Sequence, residues 1–216
     1  MKITWYGHSC FLLTGKNGIR VLTDPCAPTT GYRLHDISCD VITSSHSHYD
    51  HNYFVAASGE PKVLTDGGAD LDGMKIESVK TFHDREKGKQ RGGNTVFCFD
   101  DSDIRVVHMG DFGEEGIRRE TLEAIGRVDV LLMPIGGIYT VDAAEALEIA
   151  DKLNPKILIP MHYKTEALEF ELGGIDGFLR EADGWNIQRL NGTSCIITGN
   201  TLPEQKKVIV FEFETC

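Results

Sequence analysis

Apolar and polar positions alternate or cluster in short runs along this chain, and each run has a length that suits one kind of element. Ile19-Arg20-Val21-Leu22-Thr23 alternates with period two, as a strand with one covered face does. The turn Gly15-Lys16-Asn17-Gly18 before it carries Asn-Gly, a hairpin signal, and residues 1–24 read as two or three strands. Asp24-Pro25 ends that region, because the residue before proline is pushed away from helix. Asp40-Val41-Ile42-Thr43 reads as a short buried strand, and residues 52–57 could open a helix after it. Further strands are expected over 61–65 and 75–82, then a hairpin pair over 95–99 and 104–109. Residues 129–135 and 156–160 are almost wholly apolar, as in strands covered on both faces. A helix over 114–125 would gather Ile117, Leu122 and Ile125 on one side. A second starts at Asp142, with Glu145 completing a capping box, and stops before Asn154-Pro155. A glycine-broken helix near 173–183 precedes two closing strands, 193–198 and 208–213, expected to pair across Gly199-Asn200-Thr201. Strands at both ends, with helices in each half, predict two sheets face to face with helices outside. No linker, low-complexity run or repeat interrupts residues 1–216, so a single domain is expected.

Composition narrows the classes. Apolar residues make up 41% of the 216, enough for a real core. A formal net charge of −11 argues against a nucleic-acid backbone or an anionic membrane surface as partner. No segment approaches the roughly 20 apolar residues of a membrane span, and the opening Met1-Lys2-Ile3-Thr4-Trp5-Tyr6 reads as a strand rather than a signal peptide. The six cysteines, Cys10, Cys26, Cys39, Cys98, Cys195 and Cys216, show no CxxC spacing. They are expected to be free thiols of a cytoplasmic protein, with Cys39 a buried apolar residue.

The chemistry concentrates in Ser45-His46-Ser47-His48-Tyr49-Asp50-His51, where a strand gives way to a turn. In extended backbone His46, His48 and Asp50 would face one side, and His51 would join them as the chain turns. Imidazole and carboxylate are suitable zinc ligands. Four of them exceed the three protein ligands typical of one catalytic zinc, which suggests two metals. Elsewhere, Arg85, Lys87, Lys89 and Arg91 fall on alternate residues of a glycine-rich loop. That loop is either a solvated surface feature or a rim offering charge to an anionic substrate group.

The His-x-His-x-Asp-His run resembles the signature of the metallo-β-lactamase superfamily. The Gly7-His8-Ser9 and Thr23-Asp24-Pro25 segments look like those of its compact members, the L-ascorbate-6-phosphate lactonase-like metal-dependent hydrolases. The resemblance runs nearly the whole chain and implies a four-layer αββα sandwich. It implies one metal held by His46, His48 and His83, and a second by Asp50, His51 and His162, with Asp111 bridging. By the same likeness His8 and Asp24 would orient ligands, although a satisfied histidine and a turn-forming aspartate carry equal weight. His108 is expected to pack beneath the site. Tyr139 and Tyr163 lie near the expected rim, where a phenol could steady a developing oxyanion, with packing as the plainer role for each. Tyr32 and His35 lie in a loop that could overhang the site.

What the resemblance implies chemically is a metal-dependent hydrolase. Two divalent ions, zinc by default with manganese or iron possible, would generate a metal-bound hydroxide at neutral pH. That nucleophile would attack a small-molecule ester, lactone, amide or phosphodiester, an anionic one being compatible, with Asp50 passing a proton to the leaving group and Arg91 near the substrate. Two other classes remain: a metal-bound sensor without turnover, and a mononuclear iron dioxygenase on the same fold.

Overall fold

The computed structural model of the protein describes residues 1–212. The last residue of the strand expected over 208–213, and the Cys216 thiol, lie outside the described residues. In chain order the first strands are β1 (Lys2–Gly7), β2 (Cys10–Thr14), β3 (Arg20–Thr23), β4 (Ile37–Ser38), β5 (Val41–Thr43), β6 (Ala57–Ser58), β7 (Lys62–Leu64) and β8 (Ala69–Leu71). Then come β9 (Met74–Phe82), β10 (Gly93–Asp100), β11 (Arg105–His108), β12 (Val130–Pro134), β13 (Ile157–Met161), β14 (Asn186–Arg189), β15 (Ser194–Ile196) and β16 (Lys207–Val210). The described α-helices are α1 (Arg119–Ile125), α2 (Ala143–Leu153) and α3 (Ile175–Glu181).

Two mixed sheets form the sandwich, one ordered β15-β1-β2-β3-β5-β7 and the other β14-β16-β13-β12-β11-β10-β9-β8. The period-two pattern decides which side chains meet between them. Phe11, Leu13, Val21 and Val41 join the core shared with Phe97, Val106 and Leu131 of the second sheet. Their neighbours Cys10, Leu22 and Ile42 point the other way, into an outer cluster with Tyr32, Leu34, Ile37 and Cys39. Cys39 is thus packing material, as expected. That outer layer consists of irregular segments with 3₁₀ turns at Pro28–Thr30 and Phe54–Ala56. The helix anticipated at 52–57 is only the second of these turns, because the chain immediately enters the β4–β6 pairing. Over the other sheet α2 and α3 supply helical cover, and α2 starts on the Asp142–Glu145 capping box.

Two further expectations change. The 114–125 helix forms only over Arg119–Ile125, since Gly116 turns at φ +73° and Glu114 instead accepts from the Phe82 backbone N–H. The closing strands do not pair with each other. β15 adds to β1 through Ile3 and Cys195, whereas β16 runs parallel to β13 and β14 in the opposite sheet. A lone two-stranded hairpin is marginal in water, and each strand gains a wider buried partner this way. Among the described residues no helix is long and apolar enough to cross a membrane.

Candidate metal centre

The sheet topology brings several strand ends to one rim. Asp24 follows β3, His46–His51 follow β5, His83 follows β9, Asp111 lies beyond β11, and His162 follows β13. β3 runs parallel to β5, and β11, β12 and β13 are mutually parallel, so these ends point the same way. His8 enters from the turn between β1 and β2. His8, Asp24 and His162 hold positive φ values of 51°, 40° and 52°, a region costly for non-glycine residues that persists where the surroundings enforce it.

The stretch 45–51 is not extended. It is a succession of bends, with the His51 N–H donating to the His48 carbonyl at 2.9 Å, and its imidazoles converge because the chain winds around Asp24. Asp24 is fully buried. Its Oδ1 accepts the Ser45 N–H at 2.8 Å, and its Oδ2 accepts the Ser45 hydroxyl at 2.5 Å and His51 Nδ1–H at 2.8 Å. The Ser45 hydroxyl also meets His46 Nδ1 at 2.9 Å. One carboxylate therefore orients two imidazoles and leaves the Nε2 of each pointing inward. Opposite them, the Asp111 N–H donates to Asn94 Oδ1 at 2.9 Å, and the Asn94 amide is tied to Thr81 and the Met109 carbonyl. Gly110 makes that approach possible, since a Cβ there would lie 2.3 Å from Asn94 Oδ1. His108 packs below, placed between the Ser9 carbonyl and the Gly110 N–H.

Asp111 is the hub. Its Oδ2 lies 3.2 Å from His83 Nε2 and 3.1 Å from His162 Nε2, and its Oδ1 lies 3.2 Å from His51 Nε2. His46 Nε2 is farther, at 3.9 Å from Oδ2. Ligand-type atoms within 4.8 Å of one another fall into three groups: His46, His48 and His83; His8, Asp50, His51 and His162; and His46, His51 and Asp111. The first two coincide with the two ligand sets implied by the resemblance, and His8 is additional. Its Nε2 lies 3.3 Å from Asp50 Oδ2.

Burial and mutual charge set the protonation of this cluster. Burial pushes His46 down to about 3 and His8 down to about 4, and lowers His48. His51 goes the other way. Burial opposes it, yet the nearby charges of Asp111 and Asp50 and the hydrogen bond to Asp24 hold it well above the usual imidazole range. Burial likewise works against ionised Asp111, but His162 and His51 keep that carboxyl well below its ordinary value.

The cluster floors a cavity of about 370 Å³ lined by His48, Tyr49, Asp50, His83, Arg91, Asp111, Tyr139, His162 and Phe170. Tyr139, 40% exposed, stands at the mouth with the Arg91 guanidinium 5.6 Å from its ring centroid. Other sequence candidates fall elsewhere. Tyr163 is buried against Trp5 with ring centroids 5.6 Å apart, His35 is exposed away from the cavity, and Tyr32 lies under the site with its hydroxyl on Thr165. Ser45, Tyr49 and Phe170 were not singled out from the sequence, and a serine beside a histidine has no local pattern that separates it from ordinary loop chemistry. Asn94 ends an Arg-Gly-x-Asn run that resembles one in the compact members of the family, but the run by itself gives it no role.

The donor set suits a metal. His46 Nε2, His51 Nε2 and Asp111 Oδ1 are buried without a hydrogen-bond partner, and they face one another as nitrogen and oxygen ligands of a borderline cation do. A family model described as the beta-lactamase superfamily domain matches residues 2–162. The chain belongs to that superfamily, and the two packed sheets are its fold. A UPF0173 protein of Pyrococcus abyssi is 32% identical over 200 residues, covering 84% of this chain and 90% of the relative. A UPF0173 metal-dependent hydrolase of Thermoplasma acidophilum is 30% identical over 194 residues, covering 76% of this chain and 84% of the relative. A crystal structure from Thermotoga maritima, described by inference as a Zn-dependent hydrolase of the metallo-beta-lactamase superfamily, is 39% identical with a TM-score of 0.79, covering 97% of both chains. This chain is accordingly a metal-dependent hydrolase with a His/Asp cluster able to bind metal.

Proposed function

We propose that the chain binds two divalent cations, zinc by preference with manganese or iron compatible, and hydrolyses an ester, lactone, amide or phosphodiester bond of a small anionic molecule. The observation that carries this is Asp111, whose two oxygens stand between the histidine groups while His46 Nε2 and His51 Nε2 face it unpartnered. His46, His48 and His83 would hold one cation, and Asp50, His51 and His162 the other, with Asp111 shared. When bound, such a pair lowers the pKa of a coordinated water toward about 7 and polarises the oxygen of the bond under attack.

The remaining work falls to the chain's own groups. Asp24 fixes the tautomer and direction of His51, and through Ser45 of His46. Asp50 reaches the cavity while accepting from His8, a position from which its free oxygen can pass a proton to the leaving group. The Tyr139 hydroxyl at the mouth can donate to the oxygen that gains charge, and Arg91 beside it supplies the cavity's cation. Tyr49 and Phe170 give the substrate's body an aromatic wall. The free Cys10, Cys26, Cys39, Cys98 and Cys195 support a reducing, cytoplasmic setting.

The test combines metal analysis with turnover. Protein purified without chelator should carry two metals per chain by plasma emission, and should cleave members of a panel of lactones, thioesters and bis(4-nitrophenyl) phosphate. Asp111→Asn should lose on the order of 10²–10⁴-fold in kcat/KM, the span of a group acting on the reacting atoms. A metal-loaded protein silent across the panel, or an undiminished Asp111→Asn, would sink the reading.

A further inference from the structure

Directly after His83 the chain makes a compact knot. Both oxygens of Asp84 are used twice: Oδ1 accepts the N–H groups of Glu86 at 2.8 Å and Gly88 at 2.9 Å, and Oδ2 those of Gln90 at 2.9 Å and Arg91 at 2.7 Å. A carboxylate has about four lone-pair sites, so this one is saturated by backbone alone. Asp84 is buried, and the loop closes on itself through Gly92 N–H to the Gly88 carbonyl at 3.0 Å.

Of the four cations on this loop, only Arg91 lines the metal cavity. Arg85 is engaged with Glu145, and Lys87 and Lys89 are exposed. The Arg91 guanidinium lies over the Tyr139 ring and donates to the Ile138 carbonyl at 3.4 Å. Among the described residues no carboxylate lies within ion-pair distance of it. A guanidinium at the mouth of the cavity, with the Asp50 and Asp111 carboxylates beyond ion-pair reach, is free to pair with an anionic group of a ligand.

We propose that Asp84 is a positioning residue: by capturing the Arg91 backbone N–H it fixes the guanidinium over Tyr139 at the cavity mouth, where it selects substrates carrying a carboxylate or phosphate. The inference rests on the hydrolase reading above but concerns selection, not bond cleavage. Asn at position 84 could accept through one oxygen only, so about half the knot would be lost and Arg91 would sample other positions.

Matched esters test it: neutral 4-nitrophenyl butyrate against mono-4-nitrophenyl succinate, with the same leaving group. The native protein should prefer the succinate. Asp84→Asn should raise KM for the succinate by about 10- to 100-fold, leave kcat within about threefold, and leave the butyrate KM unchanged, as loss of one charge-assisted contact implies. Arg91→Ala, which removes the guanidinium itself, should raise the succinate KM at least as much, and the double variant should be no worse than Arg91→Ala alone. Amide exchange should quicken at Glu86, Gly88, Gln90 and Arg91, with metal content unaltered. An equal KM rise for both esters, a fall in kcat alone, or loss of metal through neighbouring His83 would overturn the proposal. Should neither ester be cleaved, calorimetric binding of phenylphosphonate to the same variants reads the same contact. Unchanged affinity there defeats the role of Asp84, whereas silence of the whole hydrolytic panel defeats only the hydrolase reading.

Discussion

Asp24 shows how much a single buried carboxylate can organise. It accepts from Ser45 twice and from His51 once, and its pKa stays low even though burial opposes ionisation, because His108 and His51 stand near it. Replacing it with Ala should leave His51 and His46 free to rotate, and metal affinity should fall by about 10- to 100-fold, read by chelator competition. His51 carries a second consequence. Three carboxylates raise its pKa well above the usual imidazole value, whereas a metal ligand must be neutral. Cation uptake should therefore release about one proton, and affinity should rise with pH. Calorimetry in two buffers of different ionisation enthalpy would measure it, and identical heats in both would refute it.

At the scale of elements, strand ends supply the clustered imidazoles and carboxylates and loops give them direction. Neither β5 nor β9 is special as a strand; each places a residue at the same rim because the sheets run their way there. The helices stand apart from this chemistry. α2 begins on a reciprocal capping box between Asp142 and Glu145, and that box was legible from residue type and spacing alone. Asp142→Ala should cost about 1 kcal/mol in urea unfolding with turnover unchanged. A larger loss would mean that the loop 137–141 before it, which carries Tyr139, depends on the same cap. The closing strands teach the opposite lesson. Their alternation marked Cys195 and Val208 as strand positions, but pairing is a long-range choice, and the two strands went to different sheets.

Across the whole molecule the core and the site are separable. Leu131 is fully buried in the middle of the larger sheet, and Leu131→Ala should cost roughly 2–5 kcal/mol in unfolding free energy. Stripping the metal with a chelator should lower the melting temperature as mass action requires, and zinc should restore it. If the melting temperature ignores both, the cluster does not bind zinc in the folded state. The one-dimensional chain marked most of the strands by alternation or apolar runs, though not β4, β6, β8 or β14, α2 by its cap, and four candidate donors by six residues that crowd them together. His83, Asp111 and His162 entered through likeness to a family, since a lone histidine or aspartate at a strand end has no local mark of its own. Only the tertiary structure decided that Ser45 meets His46 and Asn94 holds Asp111, that His8 sits within the same cluster, and that Arg91 alone among the four cations of its loop lines the cavity. Those outcomes depend on contacts between residues tens of positions apart, and their energies exist only after the sheets have packed.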